Sequence, residues 1–497
     1  MPAPPLIRLG AVKSLDEFQA VCASLGIDLP ADPLDASPSP LAEPARVTIN
    51  GKRPGNRIIV QPMEGWDGTP TGGITDEMKR RWQRFGESGA KMIAGGEAMA
   101  VRPDGRANPH QLILNRTNLA GIAELVQVLR QAHQAHWGTT DDLVIGFQLT
   151  HSGRYCRPHD KQRLESKVAF RHPLLDRKFN ITQDEQVMSD EEVRGLIVDY
   201  VHAARLAWEA GADFVDLKHC HGYLLHEFLA AHTRPGQYGG CFENRTRILR
   251  EIVAGIRAEG NPIDLGVRLS LFDFVPYHPD PDLSQPGKPG PGIPEDFSEL
   301  LPYRHGFGVN PQNPTQMDLT ETDAFAKLCV ELGIKILNTT AGSPYYVPHI
   351  QRPAAFPPSD GYQPPYDPLI DVARQIQAVR HVKQHAPEPL FVIGSGYTYL
   401  QEFLPHVATA ILNRQWADGI GLGRSMLSYP AFLADVAAGR PATRRQICRT
   451  FSDCTTAPRH GLISGCYPLD PFYTQRPEFG QLKDLKRSLH ETTDHPS

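Results

Sequence analysis

Five chemically active side chains lie close together near the middle of the chain. Lys218, His219, Cys220, His221 and Tyr223 fall within six residues. They follow the segment 213–217, where apolar residues dominate a window too short for a helix, which predicts a buried strand. Ligands bind at the carboxyl ends of strands in parallel barrels and doubly wound sheets. A single histidine there would usually cap the strand, but the whole group predicts a functional site.

The composition is that of an ordinary soluble globular protein. Of the 497 residues, 40% are hydrophobic and 22% charged, and the net charge of -5 gives no reason to expect nucleic acid as a partner. No apolar run approaches the roughly 20 residues that span a bilayer, and the N-terminus lacks the order of a signal peptide. The eight cysteines are too scattered for a disulfide framework, so we expect a reduced, cytoplasmic protein.

Short apolar strands alternate with amphipathic helices from Arg57 onward. The predicted strands are RIIVQP, KMIAGG, DLVIGFQLT, DFVDL, DLGVRLSLF, IKILNTTAG, LFVIGSG and ADGIGLGR. The intervening helices are predicted from helical spacing and from N-cap residues such as Thr75 and Ser189. Parallel strands need crossover helices and eight such units close a sheet, so the pattern predicts an α/β fold, the (β/α)8 TIM barrel.

Three further features set the domain organisation. Residues 1–50, rich in proline and alanine, are predicted to form an N-terminal arm with one short helix capped by Ser14. Residues 51–440 form the barrel, with long insertions after strand five (273–319) and strand six (343–367). Residues 441–497 are predicted to be an irregular C-terminal extension.

Glycine-rich ends of the last two strands predict a phosphate site. Gly394, Ser395 and Gly396 end strand seven, and Gly423 and Arg424 end strand eight. Glycines there expose backbone N–H groups near helix N-termini, the common phosphate site of barrels. Gly-Ser-Gly alone is often a turn, but its pairing with Gly-Arg predicts a phosphate-bearing cofactor. No G-x-G-x-x-G follows a strand, so a Rossmann domain is not indicated.

Six motifs together resemble the old yellow enzyme family of FMN-dependent ene-reductases and NAD(P)H:flavin oxidoreductases. They are NRIIVQPM (56–63), QLTHSGR (148–154), HGYLLHEFL (221–229), YGGCFENR (238–245), VRLS (267–270) and GR (423–424), in the family's order on the predicted strands. The resemblance covers roughly residues 50 to 440. It implies FMN as the cofactor, NAD(P)H as the reductant, and an activated alkene or related carbonyl-conjugated small molecule as the acceptor.

The resemblance also implies roles for single residues. Pro62 and Met63 would pack along one edge of the isoalloxazine, and Gln148 would hydrogen-bond its pyrimidine side. Arg268 would lie by N1 and O2, where a fixed cation stabilises reduced flavin. Tyr223 would protonate the α-carbon of the acceptor. Lys218 and His221 would bind its oxygen, and the other cofactor-binding residues would be Ala98, Gly394, Ser395, Gly396, Gly423 and Arg424.

The chain departs from the family pattern at two positions in the site. Lys218 replaces the first histidine of the family's oxygen-binding pair, and His219 cannot substitute because neighbouring strand residues point to opposite sides. Glu64 stands where the family usually has Thr or Cys, and an inward carboxylate would oppose flavin reduction. We therefore expect Glu64 to turn away or to pair with Lys218.

The C-terminal cysteines match an iron–sulfur motif only in part. Larger members of the family, resembling dienoyl-CoA reductase and trimethylamine dehydrogenase, bind a 4Fe-4S cluster through C-x2-C-x3-C-x11-C. This chain has Cys448-x5-Cys454-x11-Cys466, with Thr450 at the second ligand position. A cluster needs four thiolates in most cases, so we predict that none is bound.

Two other functions stay open at this point. A metal-dependent barrel hydrolase would use His219-x-His221 as zinc ligands, although strand ends five to eight offer no further histidine ligand. A flavin-binding protein with altered or lost ene-reductase activity is the second, because of Lys218 and Glu64. We favour the flavoenzyme and predict no metal site and no membrane partner. The physiological acceptor, the choice of NADH or NADPH and the oligomeric state, including a homo-oligomer, stay open.

Overall fold

Eight parallel strands close into a barrel in the computed structural model, which describes residues 6–35, 38–285 and 287–491. The strands are β1 Ile58–Val60, β2 Met92–Ala100, β3 Val144–Thr150, β4 Phe214–His219, β5 Asp264–Ser270, β6 Ile336–Thr340, β7 Phe391–Gly394 and β8 Gly419–Leu422. Each pairs with its sequence neighbours, and β8 closes onto β1 through Ile420 and Ile58. All eight overlap the predicted apolar segments, which confirms the TIM barrel.

Helices between the strands cover the barrel. They are α1 Asp76–Glu87, α2 Leu119–Trp137, α3 Asp190–Glu209, α4 Arg247–Ala258, α5 Thr320–Glu331, α6 Pro368–His385, α7 Leu404–Asn413 and α8 Phe432–Ala437. The predicted caps are confirmed, since Thr75 Oγ1 accepts from Met78 N at 3.4 Å and Ser189 forms a reciprocal capping box with Glu192. Short helices join them at Leu175–Phe179, Leu224–Leu229, Phe242–Arg245, Pro348–Gln351 and Ser425–Ser428.

The barrel interior is apolar at one end and polar at the other. First residues of several strands, among them Met92, Val144 and Phe214, form one buried cluster at the amino ends. Val47 and Ile49, which precede β1, belong to the same cluster and close this floor. Toward the carboxyl ends, buried polar side chains replace them: Gln61, Gln148, Asp216, Arg268 and Asn338. The chemistry is therefore concentrated at the carboxyl end of the barrel, as the strand-end pattern predicts.

The N-terminal segment packs on the barrel. Its helix, Leu15–Ser24, is capped by Ser14, whose Oγ accepts from Glu17 N at 3.1 Å. The ring of Phe18 stacks on that of Phe403 with centroids 4.4 Å apart. The division of the chain at residue 50 stays a prediction.

The two long insertions contain short elements of their own. The insertion after β5 carries an antiparallel hairpin of Tyr277–Pro279 and Gly292–Pro294. The insertion after β6 carries the helix Pro348–Gln351, which packs against α6. Both insertions follow strand carboxyl ends, so they lie on the side of the barrel that carries the polar layer.

The C-terminal extension is more ordered than its sequence predicts. It contains the helices Asp453–Arg459, Pro471–Thr474 and Pro477–Glu491, so the expectation of an irregular segment is wrong. Ala457, Tyr467, Tyr473 and Leu482 form a small core of its own. A bidentate pair joins it to the barrel, with both oxygens of Asp470 2.9 Å from the guanidinium of Arg80 on α1. In the described parts of the chain, no helix is long and apolar enough to cross a bilayer.

Candidate active site

A cavity at the carboxyl end of the barrel unites most of the predicted site residues. The insertion after β6 and the C-terminal extension form its outer wall through Tyr345, Arg352, Thr455 and Arg459. The predicted residues that line it are Pro62, Met63, Gln148, Lys218, His221, Tyr223, Arg268, Ser395, Gly396, Gly423 and Arg424. Every strand except β2 therefore contributes to one site, either directly or through the residues that follow it.

Two predicted cofactor-binding residues do not line this cavity. Strand β2 has a register shift between Gly95 and Ala98, so Ala98 pairs with Gln148 and its N–H donates to Met63 O at 3.3 Å. Ala98 therefore supports the cavity wall from behind. Gly394 is the last residue of β7, and a Cβ there would meet the hydroxyl of Tyr397 at 1.9 Å. Its lack of a side chain makes room for Tyr397, and the predicted phosphate residues that line the cavity begin at Ser395.

A buried ion-pair network fixes the loop after β1. Arg81 on α1 donates to Asp67 at 2.7 and 2.9 Å and to Glu97 at 2.7 Å. The other oxygen of Glu97 accepts from Gly65 N at 2.9 Å. Burial raises the pKa of Glu97 to about 7, although the Arg81 charge opposes this shift. Because both ends of the loop 64–67 are held in this way, the position of Glu64 is set by the barrel.

Lys218 and His221 lie on the same wall of the cavity. Lys218 is the penultimate residue of β4, and its Nζ is 3.5 Å from the ring centroid of Tyr223. Burial lowers its pKa, while nearby Glu64 counteracts the shift. The pKa of His221 is well below its usual value because of burial, and then because of the Arg268 and Lys218 charges. The imidazole of His221 is therefore neutral near pH 7. Beside it, the ammonium of Lys218 has the carboxylate of Glu64 as a partner.

The backbone and ring of His221 are both held in place. His221 has a φ of 66°, and its N–H donates to Ser270 Oγ at 3.0 Å. Its Nε2 lies 3.1 Å from Thr340 Oγ1 and 3.2 Å from the side-chain nitrogen of Gln351. An amide nitrogen only donates, so Nε2 accepts and the ring hydrogen is assigned to Nδ1. The left-handed backbone turns the chain immediately after β4 and brings Tyr223 to the cavity.

A chain of hydrogen bonds joins two tyrosines to a carboxylate. Tyr223 Oη donates to Glu64 Oε2 at 2.7 Å and lies 2.9 Å from Tyr345 Oη. Glu64 Oε2 is also 3.8 Å from Lys218 Nζ, which confirms the predicted pairing. Tyr345 stacks on Tyr155 with centroids 3.8 Å apart. Burial, and then the Glu64 charge, raise the pKa of Tyr223 well above its usual value, so its phenol stays protonated.

His219 and His221 do not share a face. His219 packs against Phe325 on α5, with ring centroids 5.7 Å apart, and only His221 lines the cavity. This separation removes the basis for the zinc hydrolase alternative. Among the residues described, three potential metal ligands lie within 4.8 Å of one another, namely Asp323, His381 and His385 on α5 and α6. None of the three lines the cavity.

The polar layer beneath the cavity can recognise a heteroaromatic ring. Gln148 Nε2 donates to Asp216 at 3.0 Å, which leaves its Oε1 to accept from a ligand N–H. Arg268 donates to Pro62 O at 3.1 Å, and its buried Nε has no partner. Burial raises the pKa of Asp216 to about 6, against the Arg268 charge. An acceptor and a cationic donor therefore face the same cavity, an arrangement that suits the pyrimidine edge of a flavin.

The predicted phosphate residues lie together at another part of the cavity. Ser395, Gly396, Gly423 and Arg424 all line it. Gly396 has a φ of +90°, and a Cβ would meet Gln375 Oε1 at 2.8 Å, so the turn requires glycine. Arg424 Nη1 is buried and has no partner among the residues that the structure describes, which suits a donor to a bound anion. These observations fit a bound phosphate.

Several lining residues were not predicted from the sequence. Trp66, Tyr345, Gln351, Arg352, Thr455 and Arg459 are the main examples. Most lie in the insertion after β6 or in the C-terminal extension, where no strand period indicates the direction of a side chain. Glu64 also lines the cavity, and its adjacency to Met63 is the sequence signal for this position.

The three C-terminal cysteines lie near one another and near the cavity. Cys454 lines the cavity, and burial raises the pKa of Cys448 and of Cys466. The charges of Cys448 and Cys454 add to the shift at Cys466. Thr450, at the second ligand position of the motif, is buried, and its Oγ1 has no partner. The absence of an iron–sulfur cluster stays a prediction.

Comparisons with known proteins identify relatives of this chain. The model of the NADH:flavin oxidoreductase / NADH oxidase family matches residues 45–282. NADPH dehydrogenase from Bacillus cytotoxicus is 27% identical over 387 residues, which cover 76% of this chain and 86% of that protein. NADPH dehydrogenase from Bacillus subtilis is 30% identical over 235 residues, or 46% of this chain and 63% of the relative.

Solved structures show the same fold. A 2-naphthoyl-CoA reductase complex superposes with a TM-score of 0.61 and 18% identity, over 90% of this chain and 58% of that one. The old yellow enzyme homologue from Zymomonas mobilis superposes with a TM-score of 0.53 and 19% identity. The match covers 81% of this chain and 94% of that one. The chain thus spans just over half of the naphthoyl-CoA reductase.

The barrel, the cavity and these matches define a flavin-dependent oxidoreductase. The family model and the NADPH dehydrogenases support the old yellow enzyme family for this chain, and the Zymomonas mobilis structure shares its fold. The chain is an FMN-dependent oxidoreductase that uses NAD(P)H. Among the described residues, Nε of Arg268 and Nη1 of Arg424 have no hydrogen-bond partner, and these two lining side chains fit the ring and the phosphate of FMN.

Proposed function

We propose that the protein reduces alkenes conjugated to a carbonyl group, with NAD(P)H as the source of hydride. The observation that carries this proposal is the grouping of Lys218, His221 and Tyr223 on one wall of the cavity that also contains Arg268. Bound FMN would supply the hydride transfer, from NAD(P)H to the β-carbon of the alkene. The residues of the chain must then bind the carbonyl oxygen and provide a proton.

The carbonyl oxygen would bind between Lys218 and His221. Hydride addition places negative charge on this oxygen, and a fixed cation in a buried site stabilises such charge strongly. Lys218 provides that cation, and neutral His221 donates a hydrogen bond without adding a second charge. Glu64, 3.8 Å from Lys218 Nζ, balances the charge while no acceptor is bound.

Tyr223 would provide the proton to the α-carbon. Its phenol lines the cavity and remains protonated, because burial and the Glu64 charge raise its pKa. The same shift makes it a weak acid, so proton transfer must be coupled to the growth of negative charge on the substrate. Tyr345, 2.9 Å from Tyr223 Oη, can donate to the phenolic oxygen when the proton leaves.

Isotope labelling tests the proposal directly. The holoenzyme is given 2-cyclohexenone with 4-deuterated NADPH in water, and then with unlabelled NADPH in deuterium oxide. The first experiment should place deuterium on the β-carbon of cyclohexanone and the second on the α-carbon. Oxidation of NADPH in the presence of oxygen or a quinone, with no saturated product from enones, would contradict the proposal.

A further inference from the structure

Two arginine side chains meet at the phosphate end of the cavity without a counter-ion. Arg424 follows β8, and Arg352 lies on the insertion after β6; both line the cavity. Among the described residues neither guanidinium has an ion pair within 4.0 Å, and their hydrogen bonds go to neutral oxygens, Thr455 Oγ1 for Arg352 and Pro353 O for Arg424. Burial, and then the charge of Arg352, lower the pKa of Arg424 to about 10. The two cations therefore repel each other in a poorly solvated place.

Unused hydrogen-bond donors accompany this uncompensated charge. Nε and Nη2 of Arg352 and Nη1 of Arg424 are buried and have no partner in the part of the chain that the structure describes. Ser425 Oγ, in the turn after Arg424, is also buried and unpartnered. Buried donors without acceptors cost free energy, and unpaired buried cations cost more. A bound dianion with several acceptor oxygens would neutralise the charge and would accept hydrogen bonds from these donors.

We propose that Arg352 is a second arginine for the phosphate of FMN and that it acts together with Arg424. Thr455, on the C-terminal extension, accepts a hydrogen bond from Nη1 of Arg352 and so orients the guanidinium. This leaves Nε and Nη2 for the anion, in the forked geometry that suits phosphate oxygens. The extension thereby becomes part of the cofactor site through a contact that lies outside the barrel.

Riboflavin separates this role from a general effect on structure, because it has the ring of FMN without the phosphate. Apoprotein is titrated with FMN and with riboflavin, and binding is followed by the change in flavin fluorescence. Arg352→Gln should weaken FMN binding about 10- to 100-fold, since hydrogen bonds between charged groups are the strong ones. Riboflavin binding should stay within about twofold of the unchanged protein.

Two further variants sharpen the result. Arg352→Lys should recover part of the FMN affinity, because it restores the charge without the fork. Arg380→Gln is the control, since Arg380 on α6 packs over Trp416 at 4.3 Å and does not line the cavity. Inorganic phosphate should weaken FMN binding to the unchanged protein more than to Arg352→Gln, because both anions compete for the same cation.

The outcomes distinguish this inference from the assignment of FMN on which it rests. An unchanged FMN affinity in Arg352→Gln would overturn the role of Arg352, and so would equal losses for FMN and riboflavin. Failure of the unchanged protein to bind either flavin would refute the FMN assignment itself.

Discussion

Tyr223 donates its phenolic hydrogen to Glu64 across a distance of 2.7 Å, so the expected proton donor is bonded to a carboxylate. The family pattern does not predict this contact, because Glu64 replaces the usual Thr or Cys. A negative charge beside the phenol disfavours the tyrosinate that forms when the proton leaves. The contact with Glu64 therefore controls how readily Tyr223 gives up its phenolic proton.

Tyr223→Phe should separate hydride transfer from proton transfer. The ring keeps its packing against Lys218 and loses only the hydroxyl. Reduction of the flavin by NADPH should be unchanged, and oxidation by an enone should slow by about 10²- to 10⁴-fold, the usual contribution of a general acid. Stopped-flow absorbance of the flavin measures both steps. Equal slowing with an enone and with oxygen would show that the hydroxyl acts in some other way.

Glu64→Gln should make Tyr223 a stronger acid. The carboxylate raises the pKa of Tyr223 after burial does, so its loss lowers that pKa. Activity requires the protonated phenol and is lost as pH rises through its pKa. The alkaline limb of the enone rate profile should therefore move to lower pH. The Tyr223→Phe variant should lack this limb with or without the Glu64 substitution, and a limb that persists there and moves with Glu64→Gln would belong to another group.

Lys218→Met should weaken binding of phenolate ligands, which form charge-transfer bands with flavins. A hydrogen bond to a charged group is worth about 1.5–3 kcal/mol, or roughly 10- to 150-fold in affinity. Spectral titration with a substituted phenol gives the dissociation constant. Lys335→Met serves as the control, because Lys335 bonds Asp264 at the opposite end of the barrel. Unchanged affinity in Lys218→Met would show that the ammonium does not bind the ligand.

The purified protein should contain FMN but no iron–sulfur cluster. Thr450 occupies the second ligand position, and its hydroxyl cannot replace a thiolate in the usual four-cysteine set. Heat-denatured protein should release one flavin that co-elutes with FMN, and iron and acid-labile sulfide should be absent. Stoichiometric iron and sulfide in protein purified without oxygen would contradict this prediction.

Asp470→Asn should loosen the C-terminal extension. Asp470 is almost completely buried and forms the bidentate pair with Arg80, while its oxygen also caps Phe472 N at 3.1 Å. Asparagine preserves the cap and removes the charge, at a cost of about 1–3 kcal/mol. Trypsin should then cleave after residue 440 faster than in the unchanged protein, as mass spectrometry would show. Equal cleavage rates would mean that other contacts hold the extension.

The barrel and much of its site could be predicted because strands have a period of two and end at one face. Gln148, Lys218 and Arg268 are all strand residues, and a strand residue that points inward near the carboxyl end must reach the cavity. The same regularity correctly predicts that His219 points away from the cavity that His221 lines. The inward direction of Lys218 could be predicted although a lysine departs from the family pattern. The direction follows from the position of the residue in the strand, whatever its side chain.

The errors and omissions lie where that regularity is lost. The register shift in β2 places Ala98 behind the cavity, and a shift of this kind leaves no mark in the pattern of apolar residues. Arg352 and Thr455 belong to segments whose course depends on tertiary packing. Two of the three helices of the extension have seven residues or fewer, and a small core and the contact with Arg80 stabilise them more than their own propensity does.

The contact between Arg352 and Thr455 has a consequence for the order in which the protein is made. A ribosome completes the eight strands and both glycine loops before it reaches residues 453–459. During that interval the nascent barrel presents its phosphate loops without the segment that later covers them. FMN that entered the barrel in that interval would meet Arg352 without the hydrogen bond to Thr455 that orients its guanidinium.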